Sequence, residues 1–269
     1  KNIFSKYLAD LDYLLTRTIL LADNLNISGE IPLSLKRKRV AKLRKIYNRE
    51  FKDFYDSSQF MVAESPKRQD GIYDLRYLIN ENYPKMLKDM RSDKGICLLL
   101  DGMRWDIWKL IEKKIFAELT FRKIKEGSLF ALQPTNTARQ LETLKESNFT
   151  GEILNSSEVN PENYLSNGLK GAVDKCHDLI KFSFIDDKVH SSKEDYNSFI
   201  EEVIFQTENR LIPFLEKIPG GTPILVFADH GFRINYNFKK ADKYDSPRYL
   251  HGGSTMEEVI VPWGLIYRI

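Results

Sequence analysis

Two short apolar runs in this chain each end abruptly in an aspartate. Ile96-Cys97-Leu98-Leu99-Leu100 runs into Asp101, and Ile224-Leu225-Val226-Phe227-Ala228 runs into Asp229. An unbroken apolar run without alternation predicts a strand covered on both faces, as in a parallel sheet with helices above and below it. A carboxylate at the end of such a strand carries a large desolvation cost unless it finds a partner. In open α/β sheets the carboxyl ends of the strands line the ligand crevice, so both aspartates face the same place. A metal ion there would remove the cost. Either aspartate alone is equally a helix N-cap; the pair, with histidines close by in sequence, is read as a set of ligands.

The rest of the pattern fits that reading. Residues 105–117 and 193–217 carry helical periodicity, and 138–145 is a shorter helix. Residues 119–132 read as strand, with Gly127 as the break of a hairpin. Residues 182–185 read as a short strand and 147–170, rich in Asn, Ser, Gly and Pro, as loops. Residues 231–250 read as a hairpin or flap, and 259–266 as the strand that closes the sheet. Strands alternating with helices predict an α/β core with a mostly parallel sheet flanked by helices. Residues 1–94 differ. Apolar residues recur at three- and four-residue steps over 3–25 and about 33–55, and a third helix over 72–91 is kinked or split by Pro84. The chain is therefore expected to divide into an N-terminal α-helical region, 1–94, and a catalytic domain, 95–269.

With 269 residues, 42% of them hydrophobic, the chain can bury a sizeable core. No apolar run is long enough to span a bilayer, and no membrane association is expected. The N-terminus lacks a compact apolar stretch followed by a small-residue cleavage site, so no secretory signal is expected. The two cysteines, Cys97 and Cys176, make no disulfide framework, and a reducing cytoplasm is the expected setting. The net charge of +3 excludes little, but its distribution is uneven. Lys36-Arg37-Lys38-Arg39 is continued by Lys42, Arg44, Lys45 and Arg49, whereas residues 95–269 are net acidic. A basic run of this kind contacts nucleic acid or is a solvated helix face.

Three of the four histidines stand beside carboxylates or glycines: Asp186-Asp187-Lys188-Val189-His190, Asp229-His230-Gly231 and His251-Gly252-Gly253. Adjacent residues on a turn, such as Asp229 and His230, can reach one ion, which they could not do from a regular strand. Asp186 and His190 are four residues apart, which places both on one face of a helical turn. Asp187 is the alternative to Asp186. The glycines after His251 allow backbone to approach an ion or a phosphate closely. Carboxylate with imidazole favours zinc and also accepts manganese or iron. His177 has no such partner and is read as structural or exposed. A hydroxyl nucleophile is sought in Pro134-Thr135-Asn136-Thr137-Ala138-Arg139, where Thr137 would sit near a helix N-terminus whose N–H groups can accept phosphate oxygens. By itself Thr137 would be a plain N-cap.

On these residues the chain resembles the PglZ domain family of the alkaline phosphatase superfamily. The likeness rests on Leu99-Leu100-Asp101-Gly102-Met103-Arg104-Trp105-Asp106, on the Thr137 segment, on Asp229-His230-Gly231, and on the stretch from His251 through Glu257-Glu258-Val259-Ile260-Val261-Pro262. It covers about 95–269. The resemblance implies an alkaline-phosphatase-like core and two divalent metal ions. One would be held by Asp101, Thr137, Asp229 and His230, the other by Asp186, His190 and His251. It implies that Thr137, with Thr135 as the other candidate, attacks phosphorus to give a phosphothreonine. Arg104 and Arg139 would contact the substrate phosphate. It further implies a phosphodiesterase acting on nucleotides or nucleic acid, in a bacterial phage-defence or signalling system with protein partners. The rival expectations are a phosphomonoesterase or phosphotransferase, and a non-catalytic binding or assembly module that keeps the metal site.

Overall fold

The computed structural model describes residues 42, 45–46, 48–53, 55, 74–92, 95–147, 149, 151–161, 178–235 and 247–269. The basic run 36–39, the helix expected over 3–25, and Cys176 and His177 lie outside the described residues.

The described chain begins with helical residues around 48–55. The next helix, α1, has three segments: Leu75–Tyr77, a π-helical turn Leu78–Asn82, and Tyr83–Asp89. Pro84 follows directly on the π-helical turn, where the regular hydrogen-bond ladder is already interrupted, so the helix is split into segments there and not ended. The strand Ile96–Leu100 (β1) is followed by Trp105–Glu118 (α2) and Phe121–Phe130 (β2). Thr137–Glu146 is α3, and Ile153–Asn155 (β3) is a strand in a stretch expected to be loop. Leu179–Phe182 (β4) turns at once into Phe184–Ser191 (α4). The long helix α5 runs as Tyr196–Gln206, a π-helical turn Thr207–Leu211, and Ile212–Glu216. Pro223–Phe227 (β5), the two-residue strands Arg233–Ile234 (β6) and Tyr249–Leu250 (β7), the short helix Met256–Val259 (α6) and Ile260–Arg268 (β8) complete the order.

Six strands form one mixed, mostly parallel sheet in the order β2-β8-β5-β1-β4-β3, flanked by helices. Strands β5, β1, β4 and β3 run parallel, and β8 is antiparallel to both β5 and β2. Strand β8 thus lies inside the sheet, with β2 outside it. The hairpin expected within 119–132 is absent, and β2 is a single strand paired along β8 with a register shift between Lys123 and Lys125. Gly127 is explained by packing instead: a Cβ there would come within 2.8 Å of the Trp263 ring on the neighbouring strand.

Every residue of β1 and β5 is buried, as the unbroken apolar runs require. Each fully buried Leu or Ile contributes about 1.5–3 kcal/mol of hydrophobic stabilisation. Leu75, Leu78, Ile79, Tyr83, Met86 and Leu87 of α1 join the same core as the sheet. A second, smaller cluster joins Phe51 and Tyr55 to Phe130, Met256, Val259 and Ile260. There Asn48 Oδ1 accepts from the Met256 amide at 3.0 Å, and the Tyr55 hydroxyl donates to the Ala131 carbonyl at 3.3 Å. Among the described residues no helix is long and apolar enough to cross a membrane.

Three neighbouring strands position the site. Leu100 pairs with Phe182, and Leu99 pairs with both Lys181 and Phe227. Because β4, β1 and β5 are parallel, their carboxyl ends emerge side by side. That delivers Asp101, the start of α4 and Asp229-His230 to one edge of the sheet.

Candidate metal centre

Two groups of ligand-type side chains form at that edge. In the first, Asp101, Asp229 and His230 each offer an atom within 4.8 Å of the others, and all three residues are buried. His230 Nε2 lies 3.3 Å from Asp101 Oδ1 and 3.9 Å from Asp229 Oδ2. Asp229 Oδ1 accepts from the His230 amide at 2.9 Å and from the Gly102 amide at 3.4 Å. His230 Nδ1 is 3.0 Å from the Gly231 carbonyl, which can only accept; Nδ1 therefore carries hydrogen and Nε2 faces the carboxylates.

Thr137 belongs with this group. As the first residue of α3 it follows Asn136, whose side chain caps the helix by accepting from the Arg139 amide at 2.9 Å. The Thr137 hydroxyl donates to Asp101 Oδ1 at 2.8 Å and lies 3.2 Å from His230 Nε2. Thr135 is fully buried, and its hydroxyl donates to the Gly253 carbonyl at 3.0 Å and accepts from the Gly252 amide at 3.1 Å. The Thr135 hydroxyl thus braces the Gly252-Gly253 turn, whereas that of Thr137 faces the ligand group. The two threonines are thereby distinguished by geometry, which spacing had left open.

The second group is Asp186, His190 and His251, with ligand atoms again within 4.8 Å. Helix α4 starts early enough to put Asp186 and His190 one turn apart, with His190 Nε2 3.2 Å from Asp186 Oδ2. The helix begins at Phe184, inside the stretch 182–185 that was expected to be strand, and the one-turn placement of Asp186 and His190 expected from their spacing is present. His251 Nε2 is 3.6 Å from Asp186 Oδ1 and 3.0 Å from His190 Nε2. Its Nδ1 is 3.3 Å from the Thr135 carbonyl, so the segment leading to Thr137 also orients this imidazole. Asp187 is exposed and accepts from the Ser183 hydroxyl at 2.9 Å, away from the group. The two groups adjoin. The His230 and His251 rings stack with centroids 4.7 Å apart, and Gly102, at φ 74°, brings its backbone against Asp186.

The donor chemistry fits divalent cations. Asp229 Oδ2 in the first group and Asp186 Oδ1 in the second are buried and find no hydrogen-bond partner among the described residues. An unsatisfied buried acceptor costs about 1–3 kcal/mol, more when charged, and a cation is what both atoms lack. Titration behaviour also reflects crowding of charge. Burial pushes Asp229 up to about 6, although the charge of His230 works against the rise. Burial also opposes charge on His230, but the Asp229 and Asp101 carboxylates outweigh it and push this imidazole up to about 9. Asp101 is held down at about 2, because hydrogen bonds from His230 and Lys181 overcome its burial. Asp186 is raised by burial and then by the nearby Asp101, and His251 is lowered by burial and by the charge of His230.

The two arginines have different surroundings. Arg104 is fully buried and bidentate to Asp106, with Nε–Oδ1 at 3.0 Å and Nη2–Oδ2 at 3.1 Å. Its Nη1 donates to the Phe232 carbonyl at 3.4 Å, and its guanidinium lies over the Tyr196 and Phe232 rings. So engaged, it is a strut beneath the Asp229-His230-Gly231 turn and is withdrawn from any phosphate. Arg139 is partly exposed and 3.3 Å from Glu142. The sequence reading missed Lys181, whose Nζ is 2.5 Å from Asp101 Oδ2. Its signal was a lysine inside the otherwise apolar strand Leu179-Ile180-Lys181-Phe182.

No family model matches the chain, and no curated protein matches it. Among solved structures it is similar to two mutants of TAB5 alkaline phosphatase with Mg bound in the M3 site, at TM-scores of 0.22 and 0.21 and 9% sequence identity. Each similarity covers 65% of this chain and 66% of that one, just under two thirds of the phosphatase.

Proposed function

We propose that this chain is a metal-dependent phosphoester hydrolase, with Thr137 as nucleophile between two divalent ions. The observation that carries the reading is the Thr137 hydroxyl, 2.8 Å from Asp101 Oδ1 and 3.2 Å from His230 Nε2, beside two adjoining ligand groups. A solitary threonine at a helix N-terminus needs no such company. Asp101, Asp229 and His230 would hold one ion with Thr137, and Asp186, His190 and His251 the other. Such ions, zinc by preference and manganese or iron by the same donor chemistry, would lower the hydroxyl pKa and offset charge on the attacking and leaving oxygens.

The chain's own residues supply the rest. Asp101 fixes the threonine rotamer, and the positive N-terminal end of α3 would favour the incoming phosphoryl oxygens. The Thr137 oxygen bonds to phosphorus and its proton leaves to solvent. The bond to the departing alkoxide breaks, and that alkoxide takes a proton from water. Water then cleaves the phosphothreonine and restores the hydroxyl.

In finer terms we favour a phosphodiesterase acting on nucleotides or nucleic acid, with the 36–39 run contacting the polyanion and protein partners in a phage-defence or signalling system. The motif resemblance to the PglZ family supports this preference. Protein purified without chelator should carry about two ions per chain. It should turn over bis-p-nitrophenyl phosphate faster than p-nitrophenyl phosphate. A faster monoester would reject the diesterase preference, and metal-free protein inactive on both after zinc or manganese is supplied would reject the hydrolase.

A further inference from the structure

Lysine is an unexpected residue at position 181. Strand β4 lies inside the sheet, between β1 and β3, and Leu179, Ile180 and Phe182 around it are buried. A charge placed there is costly unless it has a use or a partner. The side chain is 28% exposed, so it reaches from the sheet into the mouth of the site. Its ammonium contacts Asp101 Oδ2, while Asp101 Oδ1 receives the Thr137 hydroxyl. One carboxylate therefore separates the lysine from the nucleophile. Asp229 and Asp186 also attract the ammonium through space.

An ammonium has three donors and no acceptor, and among the described residues Asp101 is the one hydrogen-bonding partner found for Lys181. The arginine that the opening motif offers for phosphate is locked onto Asp106. Once the three carboxylates serve as metal ligands, Lys181 is a cation with spare donors beside the attacking oxygen. A lysine in that position binds phosphate as a point charge.

We propose that Lys181, and not Arg104, is the basic side chain that contacts the transferred phosphoryl group. The assignment rests on the hydrolase reading above and adds a substrate-binding residue to it. The ammonium donates to a non-bridging oxygen and keeps Asp101 turned so that Oδ1 faces Thr137.

The test is calorimetric titration of orthophosphate into zinc-loaded protein, with metal content measured by mass spectrometry on the same samples. Lys181→Met should keep its metal and bind orthophosphate at least about tenfold more weakly, the loss of one charge-assisted hydrogen bond. Lys181→Arg should recover most of the affinity, since charge and reach are kept. Lys181→Gln serves if the methionine variant does not fold. Unchanged orthophosphate affinity in the uncharged variants overturns the assignment, as does wild-type protein that binds no orthophosphate. Loss of metal in step with loss of phosphate overturns it too, because Lys181 would then act only by holding Asp101. Zinc-loaded wild type that binds orthophosphate through Lys181 yet cleaves no phosphoester would sink the hydrolase and leave the assignment standing.

Discussion

The imidazoles of His230 and His251 stack with centroids 4.7 Å apart and planes inclined by 30°. They belong to different ligand groups, so this contact is the wall the two groups share. Removing either ring should empty one group first while leaving the other recognisable. His251→Ala should retain about one ion per chain and His230→Ala should retain one or fewer, because His230 also touches the Thr137 hydroxyl. Elemental analysis after gel filtration checks this. Two ions retained by both variants would show that neither ring is a ligand.

The two threonines of the nucleophile segment should separate in their effects. Thr137→Ala should lower turnover by at least ~10³-fold with the melting temperature nearly unchanged, and Thr137→Ser should restore part of it. Thr135→Val should do the reverse. It removes hydrogen bonds to Gly253 and Gly252 and should cost about 1–3 kcal/mol of stability, read in urea denaturation. Full activity in Thr137→Ala would exclude it as the nucleophile.

Metal affinity should depend steeply on pH, with a sign set by His230. This imidazole is pushed up to about 9, so below that pH an incoming ion must displace its proton. Affinity should rise by about tenfold per pH unit up to roughly 9 and level off above it. Below about 6 the protonation of Asp229 should make the slope steeper. Competition with a chelator, using manganese between pH 5.5 and 9.5, measures the slope. A flat profile below pH 8 would mean that His230 binds no ion.

Arg104 should behave as a structural residue. Arg104→Met removes the cation from the buried Asp106 carboxylate and leaves it the Tyr196 hydroxyl at 2.7 Å and the Ile107 amide at 3.1 Å. Breaking a buried pair from one side costs about 3–5 kcal/mol. Denaturation midpoints should fall accordingly, while the folded fraction keeps its orthophosphate affinity. A selective loss of phosphate binding with stability intact would return Arg104 to the substrate.

Much of this arrangement was legible in the sequence because desolvation leaves a mark. Asp101 and Asp229 stood out as charges at the ends of buried strands, and the structure puts both at one edge. Asp186 could not be separated from Asp187 by spacing, since the choice depends on where α4 begins. The extended reading of 182–185 missed that start by failing to see the strand end at Phe182. Gly127 was misread as a turn because a glycine under a tryptophan ring looks the same in sequence as one in a hairpin. Lys181 carried the same signal as the aspartates, a charge within an apolar run, and was passed over. Arg104 was drawn toward phosphate by its motif, whereas its buried partner Asp106 lies only two residues away.

Asn48 and Tyr55 each reach a residue far along the chain. They fasten the Met256 amide, just beyond the His251 loop, and the Ala131 carbonyl, just ahead of the Thr137 segment. Asn48, Phe51 and Tyr55 therefore brace the two stretches that carry one imidazole and the hydroxyl. A version trimmed to begin at residue 95 would bare the apolar faces of Met256, Val259 and Ile260 and release both stretches together.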